Sequence, residues 1–298
     1  MPSQLDLLAQ INLNDLVSAF GWTDRPLLAR FLRRLFYNPA RTFAAQLAEF
    51  DNAVGERGLP EGSRLFMRNY VRSLRVHGRE NLPASAFFAL SNHPGMSDTL
   101  SAFITLNRPD LKIIALDRPF LRALPNTEKQ LFYVKDDPAS RMSLVRQVSS
   151  HLRAGGAALT FPAGRIEPDP DAYPGAVESL NDWTDSVGVF IRMAPETPVV
   201  PILVRGVARK YSARHVLLKT RKTKEEREKL TAALQILSHV VFKRKDVHVR
   251  VQVGRPIHAT DLGSTETQVI HQAVIAEMRR LIQNPPEGEG ECVIGVRG

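Results

Sequence analysis

Cysteine is almost missing from this chain. Its single cysteine, Cys292, lies in a Gly/Glu-rich stretch near the C-terminal end, which excludes a disulfide framework and a cysteine-based zinc site. A reducing, cytosolic environment is therefore expected. Long apolar runs are absent too: no window reaches the roughly 18 uncharged apolar residues of a membrane-spanning helix. Met1 is followed by Pro-Ser-Gln-Leu-Asp rather than by a basic and then an apolar segment, so export is not expected either. No internal repeat occurs, and low complexity is confined to the last residues.

Acidic residues are the minority charge, 31 against 40 Lys and Arg, for a net charge of +9. This excess favours anionic partners: phosphorylated small molecules, acidic carrier proteins, anionic lipid surfaces or nucleic acid. The richest segment, 209-RKYSARHVLLKTRKTKEEREK-229, holds nine Lys/Arg against three Glu. It reads either as a solvated face or as a binding patch. Apart from Tyr211 it has no interleaved aromatics and matches no nucleic-acid-reading motif, so a specific nucleic-acid partner rests on charge alone.

With 43% hydrophobic and 24% charged residues in 298, the chain can bury a large core. Up to about residue 72, segments such as 26-PLLARFLRRLFYN-38 and 40-ARTFAAQLAEFDNAVGERG-58 repeat apolar residues at helical spacing. After that, short β-rich runs at 73–78, 87–91, 112–116, 131–135, 157–161, 198–204 and 247–254 alternate with helical patterns at 97–106, 139–155, 181–193, 223–241 and 265–283. Several strands are continuous apolar runs, as expected when both faces are covered. The reading is α/β: a mixed, largely parallel sheet flanked by helices over residues 73–284, behind an N-terminal helical region (1–72) and ahead of a flexible tail (285–298). The N-terminal helices present two readings, a packed subdomain or a membrane-facing surface.

Ligands in such folds bind beyond the carboxyl ends of the strands. Three loops there carry chemistry. In 88-FALSNHPGMSDTL-100 a strand runs into Asn92-His93-Pro94-Gly95, with Asp98 five residues after His93. Pro and Gly suit a turn, and Ser97 or Asp98 could simply cap a helix. Alternatively, a His whose second ring nitrogen is held by an Asp is equipped to take a proton from a hydroxyl. In 157-AALTFPAGRIEPDP-170, Gly164 permits close backbone approach and Arg165 offers a planar fork for a phosphate. In 131-LFYVKDDPASR-141, Lys135 and Arg141 flank a third turn. Solvated Lys and Arg are the ordinary alternative for both basic loops.

Taken in order, Asn92-His93-Pro94-Gly95-Met96-Ser97-Asp98, Leu131–Lys135, Phe161-Pro162-Ala163-Gly164-Arg165 and Val199-Val200-Pro201-Ile202 resemble the four blocks of the glycerophospholipid acyltransferases that carry an H-x-x-x-x-D motif. The third block departs from the common Phe-Pro-Glu-Gly-Thr-Arg-Ser. Its Gly-Arg-Ile-Glu-Pro is more similar to the soluble glycerol-3-phosphate acyltransferases of plastids, with Glu167 where those have a second Arg. Lys135 replaces the usual second-block Arg.

The resemblance implies acyl transfer from acyl-CoA or acyl carrier protein to a glycerol-phosphate or lysophospholipid hydroxyl. It makes His93 the general base and Asp98 its orienting acid. Asn92, Lys135, Arg141, Gly164, Arg165 and Glu167 become the candidate substrate contacts, and Gly95 and Gly164 the candidate oxyanion donors. No metal or redox cofactor is implied; the acyl thioester is a co-substrate. The expected location is cytoplasmic, with peripheral contact at the inner membrane surface. Two further readings stand beside it: an acyltransferase for a lipid acceptor other than a glycerophosphate, and a non-catalytic protein binding anionic lipid on the same scaffold.

Overall fold

A computed structural model describes residues 3–295 except 136, 209–217, 219, 222 and 244, with backbone alone at 224, 225 and 228. Much of the basic segment 209–229 therefore lies outside the described residues. The N-terminal helices are α1 (Gln4–Ala19), α2 (Pro26–Leu35), α3 (Tyr37–Arg57) and α4 (Leu59–Met67). The alternating region follows: β1 (Ser73–His77), β2 (Phe87–Ser91), α5 (Met96–Leu106), β3 (Lys112–Leu116), α6 (Pro119–Arg122), α7 (Pro125–Glu128), β4 (Leu131–Val134), α8 (Pro138–Arg153), β5 (Ala157–Thr160), α9 (Ser186–Met193), β6 (Val199–Arg205), α10 (Lys224–Phe242), β7 (His248–Val253), α11 (Thr267–Gln283) and β8 (Glu291–Ile294).

The strands form one sheet in the order β4-β3-β5-β2-β6-β7-β1-β8. From β4 to β6 every neighbour is parallel; β7 runs against β6, β1 lies parallel to β7, and β8 is antiparallel to β1. The fold is thus α/β with a mixed, mostly parallel sheet. Parallel strands need covered faces, and the two-residue period of the strands supplies both coverings. Phe87 and Ala89 of β2, with Val200, Ile202 and Val204 of β6, pack towards α5 and the N-terminal helices. Phe88 and Leu90, with Val199 and Leu203, pack on the other face with α8, α9 and α11. Leu8, Phe43, Phe50 and Phe66 belong to the first of these clusters, so the N-terminal helices share a core with the sheet.

The tail read as flexible instead supplies β8, where Val76 pairs with Glu291 and Leu74 with Ile294. An edge strand needs apolar residues on one side only, and its backbone pairing covers the N–H and C=O groups that β1 would otherwise present to water. Helix α9 starts at Ser186 rather than 181. The preceding residues, Glu178–Asp182, form a 3₁₀ turn, and Trp183 is extended with its ring buried.

Candidate active site

Five parallel strands place the loops after β2, β3, β4, β5 and β6 at one edge of the sheet. The loop after β2 begins with a side chain that replaces a missing strand pairing. Asn92 is buried; its Nδ2 donates to the carbonyl of Val204 at 2.9 Å, and its Oδ1 accepts the Val204 N–H at 2.8 Å. The amide stands in for a peptide of the ladder, which releases the main chain to turn at His93. Asn92 is therefore a structural clamp between the end of β2 and β6, with its amide oxygen and nitrogen each bonded to Val204.

His93 and Asp98 are brought together, and Asp98 caps the helix as well. Asp98, fully buried in the first turn of α5, receives the Nδ1–H of His93 at 3.0 Å and the N–H of Gly95 at 2.7 Å on Oδ2. Its Oδ1 accepts the Thr99 hydroxyl at 2.9 Å and the Thr99 N–H. A carboxylate this well supplied with donors fixes the imidazole with its proton on Nδ1, leaving the Nε2 lone pair for a partner. The His93 side chain is 31% exposed, and its ring leans on Phe161 with the centroids 5.0 Å apart. Burial draws the His93 pKa down, but the Asp98 charge, its hydrogen bond and the Glu167 charge outweigh burial and leave it raised above 6.5.

The loop after β5 lies one strand from this pair. Gly164 adopts a left-handed backbone at φ 62°, which suits glycine, and its N–H closes a turn on the Phe161 carbonyl at 3.0 Å. The Gly95 N–H is likewise held, by Asp98. Neither glycine thus has a free N–H for an oxyanion, contrary to the sequence reading. Arg165 is exposed and its guanidinium pairs with Asp182. Glu167, read as a substrate contact, turns inward and is only 3% exposed. Its carboxylate accepts from Trp183 Nε1 at 2.7 Å, Ser179 Oγ at 3.3 Å and the His93 N–H at 3.0 Å. Its pKa, lowered by these donors but raised further by burial, is pushed up to about 7.

The remaining cations are spread along the edge. With about 4.8 Å per strand, the loop after β4 stands roughly 14 Å from that after β2. Lys135 and Arg141 lie there, exposed, with Arg141 Nε donating to the Lys135 carbonyl at 3.4 Å. Arg118, which sequence reasoning passed over, follows β3 and is exposed one strand from the Arg165 loop. The same rule of loops at carboxyl ends of strands could have found it in 117-DRPF-120. Beside His93, the residues Pro94, Met96, Ile166, Tyr173, Val207 and Ile236 line a slot of about 40 Å³ that runs under α10. Such a volume is room for about one water. Among the described residues, no three His, Cys, Asp or Glu side chains are grouped to hold a metal ion.

The geometry suits proton removal from a hydroxyl by His93 at a site open on one side and apolar on the other. Comparison with known proteins bears on the reaction. The family model described as Acyltransferase matches residues 73–205, the segment that contains His93, Asp98 and both basic loops. The 1-acyl-sn-glycerophosphate (LPA) acyltransferase PlsC from Thermotoga maritima is similar at 14% identity and a TM-score of 0.42, over 94% of this chain and 98% of that one. No curated protein sequence matches.

Proposed function

We propose that the chain, whose residues 73–205 match the Acyltransferase family model, moves a fatty acyl group from a thioester, acyl-CoA or acyl carrier protein, to a hydroxyl of a phosphorylated glycerol or lysophospholipid. The observation that carries this reading is the His93–Asp98 contact, whose chain neighbours Pro94, Gly95, Met96 and Ser97 line the adjoining slot. Nε2 of His93 takes the hydroxyl proton as the oxygen attacks the thioester carbonyl, and Asp98 supports the imidazolium that forms. The tetrahedral intermediate collapses with loss of the C–S bond, and the imidazolium proton goes to the departing thiolate. Because Gly95 and Gly164 are engaged, the oxyanion falls to the first-turn N–H groups of α5 at Met96 and Ser97, which have no acceptor within their own helix. Arg165, Arg118 and Lys135 supply positive charge for an acceptor phosphate.

A second reading, the same chemistry on a lipid acceptor without a glycerophosphate, is favoured by one observation. Asp182 already occupies Arg165, a cation on the loop one strand from the base. Thiol release from palmitoyl-CoA and from palmitoyl-acyl carrier protein, measured with glycerol-3-phosphate, lysophosphatidate, lysophosphatidylcholine and a long-chain alcohol, separates the readings. Turnover confined to the phosphorylated acceptors supports the first; turnover of the alcohol alone supports the second. No release with any of these leaves an anionic-lipid-binding protein.

Helix α2 fits contact with an anionic membrane surface. It buries Ala29 and Leu32 against α1, yet leaves Leu27, Phe31 and Leu35 exposed at 81%, 61% and 56%. Arg30, Arg33 and Arg34 stand among them. Apolar residues at four-residue spacing with interleaved Arg match the pattern of an interfacial helix. No helix among the described residues is long and apolar enough to cross a membrane.

A further inference from the structure

Glu167 is joined to His93 twice through the main chain. The Glu167 N–H donates to the His93 carbonyl at 2.9 Å, and the His93 N–H donates to Glu167 Oε2 at 3.0 Å. One residue of the β5 loop thus holds both polar groups of the residue that carries the imidazole. The other carboxylate oxygen is anchored by Trp183 Nε1 at 2.7 Å and Ser179 Oγ at 3.3 Å, so the clamp is itself braced from the 178–183 turn.

We propose that Glu167 is a positioning residue for acyl transfer, setting the His93 backbone so that the ring meets Asp98 with one nitrogen and the acceptor hydroxyl with the other. This rests on His93 being the base. The chemistry of the donors argues for a carboxylate here and for nothing else of that shape. The His93 amide and the Trp183 indole can only donate, so both facing oxygens must accept. A glutamine of the same size offers one oxygen and one NH₂. It satisfies either the His93 amide or the Trp183 indole and sets two donors face to face at the other.

Protonation of Glu167 has a related effect, since one oxygen then carries a hydrogen. Burial places that event near pH 7, where the charge of Glu167 also helps to hold a proton on His93. His93, on the β2 loop, is the titratable group in direct contact with Glu167; Tyr173 and, from α10, His239 line the same slot. Trp183 and Ser179 do not titrate in this range.

The test is a set of purified variants: Glu167→Gln, Trp183→Phe, the double variant, and His93→Ala, assayed for thiol release with the best acceptor. Glu167→Gln should lower kcat by about tenfold or more, with KM for acceptor and thioester within about threefold, because both carboxylate oxygens are engaged by the His93 N–H and the Trp183 indole. The low-pH limb of kcat/KM should move to lower pH, as the negative charge that raises the His93 pKa is gone. In the double variant the indole donor is absent, the amide can point its NH₂ to the vacated side and its oxygen to His93, and kcat should recover by about threefold or more over Glu167→Gln.

A role in folding alone would give losses that add in the double variant and an unmoved pH limb, and would overturn the proposal. A rise in KM for the acceptor with kcat intact would make Glu167 a substrate contact and overturn it as well. Wild-type kcat in Glu167→Gln beside a dead His93→Ala removes the clamp and leaves the base. Full activity in His93→Ala removes both.

Discussion

A single oxygen of Asp98, Oδ2, accepts both the Nδ1–H of His93 at 3.0 Å and the N–H of Gly95 at 2.7 Å. The group that orients the imidazole also closes the turn that delivers it. Asp98→Asn can offer that oxygen to both donors only by turning its NH₂ on the Thr99 N–H and hydroxyl. It should therefore lower kcat about 10²–10⁴-fold, and His93→Ala should match it within that range. Thiol-release assays check this beside circular dichroism spectra unchanged from the parent. Near-normal turnover in His93→Ala would end the mechanism.

The pH profile follows from the raised His93 pKa. The base works only when neutral, so kcat/KM should climb with pH along a limb centred above 6.5. Initial rates between pH 5 and 9 with a saturating second substrate give that midpoint. A limb centred below 6.5 would mean that the titrating group is not the Asp98-bound imidazole.

Stability should show two opposed slopes. Glu167 rises from 4.5 to about 7 in the folded chain, so the native state binds the extra proton between those values and stability falls as pH increases across them. The full effect of this buried group is on the order of 3 kcal/mol. His93 acts in the same direction at higher pH, its raised pKa contributing stability below 6.5 that is lost above its folded value. Glu277 moves the other way. Burial raises its pKa, but hydrogen bonds from Arg280 and from the Arg255 N–H and guanidinium take it down to about 2. Its contribution is present above 4.5 and is lost as pH falls towards 2. Urea titrations from pH 3 to 8 should show a decline above 4.5 that Glu167→Gln flattens and Glu277→Gln leaves in place.

Asn92→Ala should cost about 1–3 kcal/mol, because it strands the N–H and carbonyl of Val204 inside the protein. Chemical denaturation measures it directly. A variant as stable as the parent but with a raised acceptor KM would restore Asn92 to the substrate contacts.

Phe31→Glu combined with Leu27→Glu removes two exposed apolar side chains from α2 and adds negative charge. Co-sedimentation with vesicles of phosphatidylglycerol and phosphatidylcholine should fall about tenfold or more, while turnover of a short-chain soluble acceptor stays at the parental level. Binding unaffected by the pair, or already absent in the parent, would take the membrane surface away from this helix.

The parts of this molecule that could be read from sequence are those where residue type and position carry the same message. Strands such as Phe87–Ser91 are apolar throughout because both faces are covered, and His93 with Asp98 sits on a turn whose Pro and Gly mark it. Direction is harder to read. Asn92 and Glu167 have the same composition whether they face water or the interior, and what turns them inward is remote: Val204 lies 112 positions from Asn92, and Trp183 lies 16 from Glu167. Strand β8 escaped notice because Glu291–Ile294 is short and follows Pro, Gly and Glu; its place is set by the open edge of β1 rather than by its own pattern. Arg118 follows a strand that the sequence does show, but only the strand order sets it between the loops of Lys135 and Arg165.

The place of β1 in the sheet bears on the order in which the chain can fold as it is made. Its parallel neighbour is β7, and the contact between Ser73 and His248 spans 175 positions. During synthesis β1 emerges early and waits unpaired while all the residues that bear the His93 loop and its neighbours are added. Strands β2 to β5 have all their strand neighbours at or before Arg205, and β6 lacks only β7, so the edge that bears His93 can form around a nascent chain whose other half still lacks its sheet. The interval leaves an early strand open to other chains, and a slow stretch of translation between β6 and β7 would lengthen it.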